Sequence, residues 1–187
     1  PKLFMDDYDG ESGKLESLRE LLEQIQGGNH RVLIFSQFRG MLDIIEEELG
    51  QMGMESFKIT GSTPAKDRQE MTKAFNQGER SAFLISLKAG GVGLNLTGAD
   101  TVILVDLWWN PAVEAQAIGR AHRIGQERNV EVYRMITRGT IEEKIQELQE
   151  TKRNLVSTIL DGVESRSSLS LEEIREILGI SSESLEK

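Results

Sequence analysis

Thr101-Val102-Ile103-Leu104-Val105-Asp106-Leu107-Trp108-Trp109-Asn110-Pro111 runs into Ala112-Val113-Glu114-Ala115-Gln116-Ala117-Ile118-Gly119-Arg120-Ala121-His122-Arg123-Ile124-Gly125-Gln126. The first half is a short β-branched, apolar run of strand length that ends in an acid. Asn110-Pro111 is then a helix start, a capping residue followed by a proline whose missing N–H would have had no partner. Gly125 is the matching stop. A buried strand feeding directly into a capped helix is the unit of an α/β fold. On a continuous helix from Pro111, residues Gln116, Arg120 and Arg123 stand at i, i+4 and i+7 and share one side. Two guanidiniums and an amide pointing the same way suit the charge that develops on a phosphoryl group in transfer, because arginine keeps its charge and offers a planar fork of donors. The alternative is a surface helix with scattered basic residues.

Outward from this unit, further apolar runs at Arg31 to Ser36, Glu55 to Ile59, Ser81 to Leu87 and Val130 to Ile136 predict four more short strands. Helical stripes alternate with them: Leu15, Leu18, Leu21, Leu22 and Ile25; Met41, Leu42, Ile44, Ile45, Leu49 and Met52; and Met71, Ala74 and Phe75 after a Thr63-Pro64 start. Alternation of this kind requires right-handed crossovers, and so predicts a doubly wound parallel sheet with helices on both faces. Ligands of such sheets sit at the carboxyl ends of the strands, where Ser36-Gln37, Thr60-Gly61-Ser62, Ser86-Leu87-Lys88 and Trp108-Trp109 all fall.

Thr140-x-x-Glu143 is a capping box that opens a long amphipathic helix carrying Ile141, Ile145, Leu148, Leu155 and Ile159. A Ser-rich linker from Ser165 to Ser168 precedes a second box, Ser170-x-x-Glu173, and a short helix through Leu178. The expected division is residues 1–138 for the α/β lobe, 139–162 for the long helix, and 163–187 for linker, short helix and polar tail.

The chain has 187 residues, 38% of them apolar, enough for one core and a small appendage. Its 22 basic and 31 acidic residues give a net charge of −9, which globally disfavours a polyanionic partner. The acids crowd Glu46 to Glu48, Glu142-Glu143 and the stretch from Glu164, whereas Arg39, Lys88, Arg120 and Arg123 lie among the strand-end segments. Without cysteine there is no disulfide framework or thiolate metal site, and with only His30 and His122 a metal cluster is not expected. No apolar run reaches membrane-spanning length. A start at Pro1 suggests a piece of a longer protein.

Val32-Leu33-Ile34-Phe35-Ser36-Gln37-Phe38, then Ser86-Leu87-Lys88-Ala89-Gly90-Gly91-Val92-Gly93-Leu94-Asn95-Leu96, then Asp106-Leu107-Trp108-Trp109-Asn110-Pro111 with Arg120-Ala121-His122-Arg123-Ile124-Gly125-Gln126, resemble helicase motifs IV, V and VI in their proper order. The last is in the form typical of the Swi/Snf-type ATPases of helicase superfamily two, and the resemblance spans roughly Gly13 to Leu160. It implies a RecA-like fold and the second motor lobe of an ATP-dependent translocase on double-stranded DNA, its partner being the first RecA-like lobe of the same polypeptide. It further implies Arg120 and Arg123 as catalytic arginine fingers, with Gly93, Asn95 and Gln116 facing ATP. Ser36, Gln37, Gly61, Ser62, Ser86, Lys88 and Trp109 would contact the DNA backbone or groove. The long helix stands where the family has a brace packing back toward the first lobe, the alternative being a helix lying on its own sheet.

No G-x-x-x-x-G-K-[ST] run and no Asp-Glu pair after an apolar strand exists in the sequence, so ATP and Mg would be held mainly by the first lobe, and this chain alone is expected to hydrolyse nothing. The glycines at 90, 91 and 93 do not complete a dinucleotide fingerprint, since Leu96 stands where a third glycine would be needed. Compact spacing between motifs leans to a bacterial, nucleoid-associated protein in the cytoplasm, or a nuclear one if eukaryotic. The rival readings are a second lobe of a strand-separating RNA or DNA helicase, and a doubly wound ligand-binding or interaction module without motor function.

Overall fold

The computed structural model describes residues 12–87, 89, 94–108, 111–121 and 129–164, with the last helix described in backbone only at 152, 153 and from 155 onward. Five strands form one sheet: β1 (Val32–Ser36), β2 (Ser56–Ile59), β3 (Ala82–Ser86), β4 (Thr101–Leu104) and β5 (Glu131–Arg134). Their order is β2-β3-β1-β4-β5 and every pairing is parallel, as strand–helix alternation predicts. The helices are α1 (Gly13–Gly27), α2 (Arg39–Gln51), α3 (Ala65–Asn76), α4 (Pro111–Ile118) and α5 (Ile141–Glu164).

β1 lies at the centre and is wholly buried, so it must be apolar on both faces. Val32 and Ile34 point into one core with Leu18, Leu22 and Ile25 of α1 and Leu42, Ile45 and Leu49 of α2. Leu33 and Phe35 point into the other, with Phe75 of α3, Ala117 of α4 and Leu94 and Leu96 of the segment before β4. Parallel pairing places all five carboxyl ends at one edge. β5, the exposed border strand, is by contrast Glu131-Val132-Tyr133-Arg134, and its charges guard an open edge.

Three strands stop before their apolar runs do. β3 ends at Ser86, β4 at Leu104 and β5 at Arg134, although single ladder bonds continue at Leu87 N to Ser36 O (3.0 Å), Val105 N to Phe35 O (3.0 Å) and Met135 N to Leu104 O (3.0 Å). Beyond these ends Leu87, Val105 and Leu107 are still buried, whereas Met135 and Ile136 are half-buried.

Helix starts also differ in detail. At α3 the hydroxyl of Thr63 accepts from Thr60 N at 3.0 Å, serving the preceding loop, and the helix begins after Pro64. At α5, Thr140 Oγ1 accepts from Glu142 N (3.2 Å), while the Glu143 carboxylate takes Gly139 N (2.8 Å), one residue earlier than a reciprocal box requires. The early turns of α5 pack on this lobe: Ile145 and Gln149 are buried, and Glu142 pairs with Lys14 of α1. The short helix and linker expected after residue 164 lie outside the described residues.

Candidate functional site

The turn after β1 is built by a residue from β4's end. Asp106, 7% exposed, accepts from Ser36 Oγ at 2.6 Å and from Gln37 N at 2.7 Å. Ser36 Oγ also accepts from Phe38 N (3.0 Å), so the hydroxyl closes the turn internally. Ser36 is fully buried, and its hydroxyl shapes the turn that presents half-buried Gln37 and exposed Phe38 and Arg39. Burial pushes the Asp106 carboxyl above its ordinary range, against the hydrogen bonds from Ser36 and Gln37 and the nearby Lys14 charge, all of which favour the carboxylate. Lys14 donates to Val105 O at 2.9 Å and Met135 O at 3.3 Å, tying α1 to the ends of β4 and β5.

After β2, Gly61 and Ser62 are exposed at the tip of a loop, with Ser62 Oγ 2.9 Å from Thr60 Oγ1. Arg68 of α3, readable from sequence as a plain helix charge, is instead the lace of this loop. Its Nε donates to Thr63 O (2.7 Å), and one terminal nitrogen donates to Thr60 O (3.2 Å) and Gly61 O (3.0 Å). One planar fork satisfies three carbonyls of an irregular segment.

After β3, Ser86 is buried, and its hydroxyl has no hydrogen-bond partner among the described residues. Lys88 and Gly93 lie outside them. Leu94 sends its side chain into the core beside that of Leu96. Between them Asn95 is exposed and its carbonyl accepts from Asn76 Nδ2 at 2.8 Å. An open groove of about 580 Å³ runs between α3 and this residue, lined in part by Arg68, Thr72, Lys73 and Asn76.

The helix carrying Gln116 is shorter than its caps suggest. α4 ends at Ile118, and Arg120 N and Ala121 N turn back to the carbonyls of Ala117 and Ile118 at 3.1 Å each. Two causes converge: Gly119 is a weak helix former, and the carbonyl of Arg120 is taken by Leu96 N at 3.0 Å, a bond that a continuing helix would not leave free. Gln116 is exposed on α4, whereas Arg120 sits past its end and is only 3% exposed. The expected single helical face with Gln116 and Arg120 is therefore not formed. Arg123, His122 and Gln126 lie outside the described residues, as do Trp109 and Asn110.

Sequence reading missed Glu114. It is 1% exposed on α4 and, among the described residues, collects three donors from three places: Trp108 N at 3.1 Å, Arg134 Nε of β5 at 3.2 Å and Gln149 Nε2 of α5 at 2.5 Å. Gln149 Nε2 also donates to Trp108 O. The available signal was an acid at i−3 from Ala117 and i−4 from Ile118, on the inward side of a short helix, where an unpaired charge is costly.

The family model described as the helicase conserved C-terminal domain matches residues 13–125. The chain belongs to that family, as a C-terminal lobe of the Swi/Snf type. Over 153 residues it is 46% identical to the chromatin-remodeling ATPase INO80 of Aspergillus oryzae, covering 81% of this chain and 11% of that protein. Over 149 residues it is 46% identical to the helicase SWR1 of Mycosarcoma maydis, covering 79% of this chain and 8% of that one. Among solved structures, the C-terminal part of the Fun30 ATPase domain matches with a TM-score of 0.71 at 36% identity, over 87% of this chain and 48% of the other. The chain thus spans about a tenth of the length of the curated relatives it matches. These relatives are eukaryotic and lend no support to a bacterial source.

Proposed function

We propose that this chain is the second motor lobe of an ATP-dependent double-stranded-DNA translocase that acts in chromatin remodelling, in a nuclear setting. The observation that carries the reading is the convergence of the motif-bearing turns at one sheet edge: Gln37, Gly61-Ser62 and Trp108 follow β1, β2 and β4, which lie in a single parallel sheet. Backbone-contacting groups in a row at strand ends suit a duplex tracked without reading its bases. In this reading Gln37, Gly61, Ser62, Ser86, Lys88 and Trp109 form half of the DNA track, with Ser36 behind it.

Arg120 and Arg123 would serve the triphosphate bound on a first lobe, with Gly93, Asn95 and Gln116 at the same seam. The donor set of guanidiniums and side-chain amides fits phosphoryl oxygens and a nucleoside; with no carboxylate among it, Mg belongs to the first lobe. Bound there, ATP supplies the hydrolysis that drives the cycle. The arginines of this lobe would stabilise charge on the transferring group, and α5 would brace the two lobes.

The test joins this chain to a first lobe. A residue that acts only in the transition state lowers turnover with little change in ATP affinity. Arginine fingers are worth on the order of 10³ to 10⁵ in turnover, so Arg123→Ala and Arg120→Ala should each lower DNA-stimulated hydrolysis at least about a hundredfold with DNA binding nearly intact. Lysine should not restore it, since an ammonium lacks the planar fork. Hydrolysis within about threefold of the parent in both variants, with lowered thermal stability, would make the pair structural.

A further inference from the structure

Four elements meet at the buried carboxylate of Glu114: α4 that carries it, the turn after β4 through Trp108 N, β5 through Arg134, and α5 through Gln149. Gln149 is itself 1% exposed and reaches both the carboxylate and Trp108 O, so the Trp108 peptide is held on its N–H side by Glu114 and on its C=O side by α5. Forty-one residues separate Gln149 from Trp108. A surface helix does not need a buried amide to stay on a sheet; Ile145 already supplies apolar burial there. A buried amide and carboxylate in contact fix one geometry, because any shift leaves an unsatisfied group in a dry place.

We propose that Glu114 and Gln149 are positioning residues through which helix α5 sets the conformation of the turn at Trp108, so that the Trp108 backbone is held when α5 is docked on this lobe and released when α5 lifts. The inference rests on the reading above only in assigning that turn to DNA; the coupling itself does not depend on it. A movement of α5 against the lobe is then transmitted directly to the turn and to the start of α4.

The chain offers its own reporter, for Trp108 and Trp109 are its only two tryptophans. Gln149→Glu sets a second carboxylate against Glu114, and Gln149→Ala removes the link without adding charge. Both should make the Trp108 amide exchange hydrogen at least about tenfold faster and raise quenching of tryptophan emission by acrylamide, while the amides of Leu33 and Leu84 keep their protection. With Glu114→Ala added as the second single variant, the double variant Glu114→Ala with Gln149→Ala should exchange at Trp108 no more than about threefold faster than the faster single variant, a non-additivity that a double-mutant cycle reads directly. With a first lobe joined, the DNA-stimulated part of ATP hydrolysis should fall in Gln149→Ala while the DNA-independent part is unchanged.

Trp108 exchange within about threefold of the parent in both Gln149 variants would overturn the proposal. So would equal acceleration at Trp108, Leu33 and Leu84, which would make the contact a general stabiliser. Faster Trp108 exchange with unchanged DNA stimulation would leave the coupling standing and overturn the assignment of the turn to DNA.

Discussion

Asp106 sits where a charge is expensive, and its neighbours decide how that expense varies with pH. Burial raises its carboxyl above the ordinary value, so the folded chain binds this proton more readily than the unfolded chain. Stability from this group therefore rises as pH falls from the raised folded value toward the ordinary carboxylate value, the reverse of a salt-bridged aspartate. In Asp106→Asn the amide oxygen still accepts from Gln37 N, the amide N–H can donate to Ser36 Oγ, and the Ser36 hydroxyl can donate to Phe38 O, 3.3 Å away. That variant should match or exceed the parent at pH 7, by no more than about 1 kcal/mol in urea denaturation, and its advantage should shrink by pH 5. Asp106→Ala takes the acceptor from Gln37 N and should cost roughly 1–3 kcal/mol at either pH. An Asn variant whose deficit is the same at both pH values would show that the charge itself holds the turn.

At the scale of elements, two turns at the carboxyl edge are held by a side chain from the next helix, Arg68 of α3 after β2 and Glu114 of α4 after β4. The Thr60–Thr63 loop hangs on Arg68 of α3 through three carbonyls. Arg68→Ala should therefore loosen that loop far more than it destabilises the fold: a loss of about 1 kcal/mol in stability, with amide exchange at Ser62 and Thr63 rising while β2 stays protected. Arg68→Lys should not restore the loop, since one ammonium cannot span the three acceptors in the plane of the fork. Unchanged exchange at Ser62 and Thr63 would mean the Thr60 and Thr63 side-chain bonds suffice. α5 shows the same economy, its early turns carrying both the Lys14–Glu142 pair and the Gln149 contact.

At the scale of the molecule, an acidic body with a net charge of −9 is to grip a polyanion along one edge. Long-range repulsion opposes the local phosphate contacts proposed for that edge, so the lone chain should bind duplex DNA feebly and lose that binding steeply as salt is added, as counterion release requires. In the joined two-lobe protein, Lys88→Ala should weaken binding to all duplex sequences alike, measured by titration on unrelated duplexes; a loss confined to particular sequences would contradict a backbone role. The sequence by itself determined the strands and helices and the edge where the motif turns gather, because apolar period, strand length and turn chemistry act within a few residues of one another. Even the parallel pairing followed, since alternating strands and helices leave few other topologies. Only the tertiary structure decided what the polar side chains do. Ser36 is spent on Asp106, 70 residues away; the helix of Gln116 stops short because Leu96 claims the Arg120 carbonyl; Arg68 laces a loop; and Glu114 collects donors from α5, β5 and the Trp108 turn. A hydrogen bond is short and directional, and its partners are chosen by which distant segments the order β2-β3-β1-β4-β5 brings within about 3 Å. Local pattern carries no record of that choice.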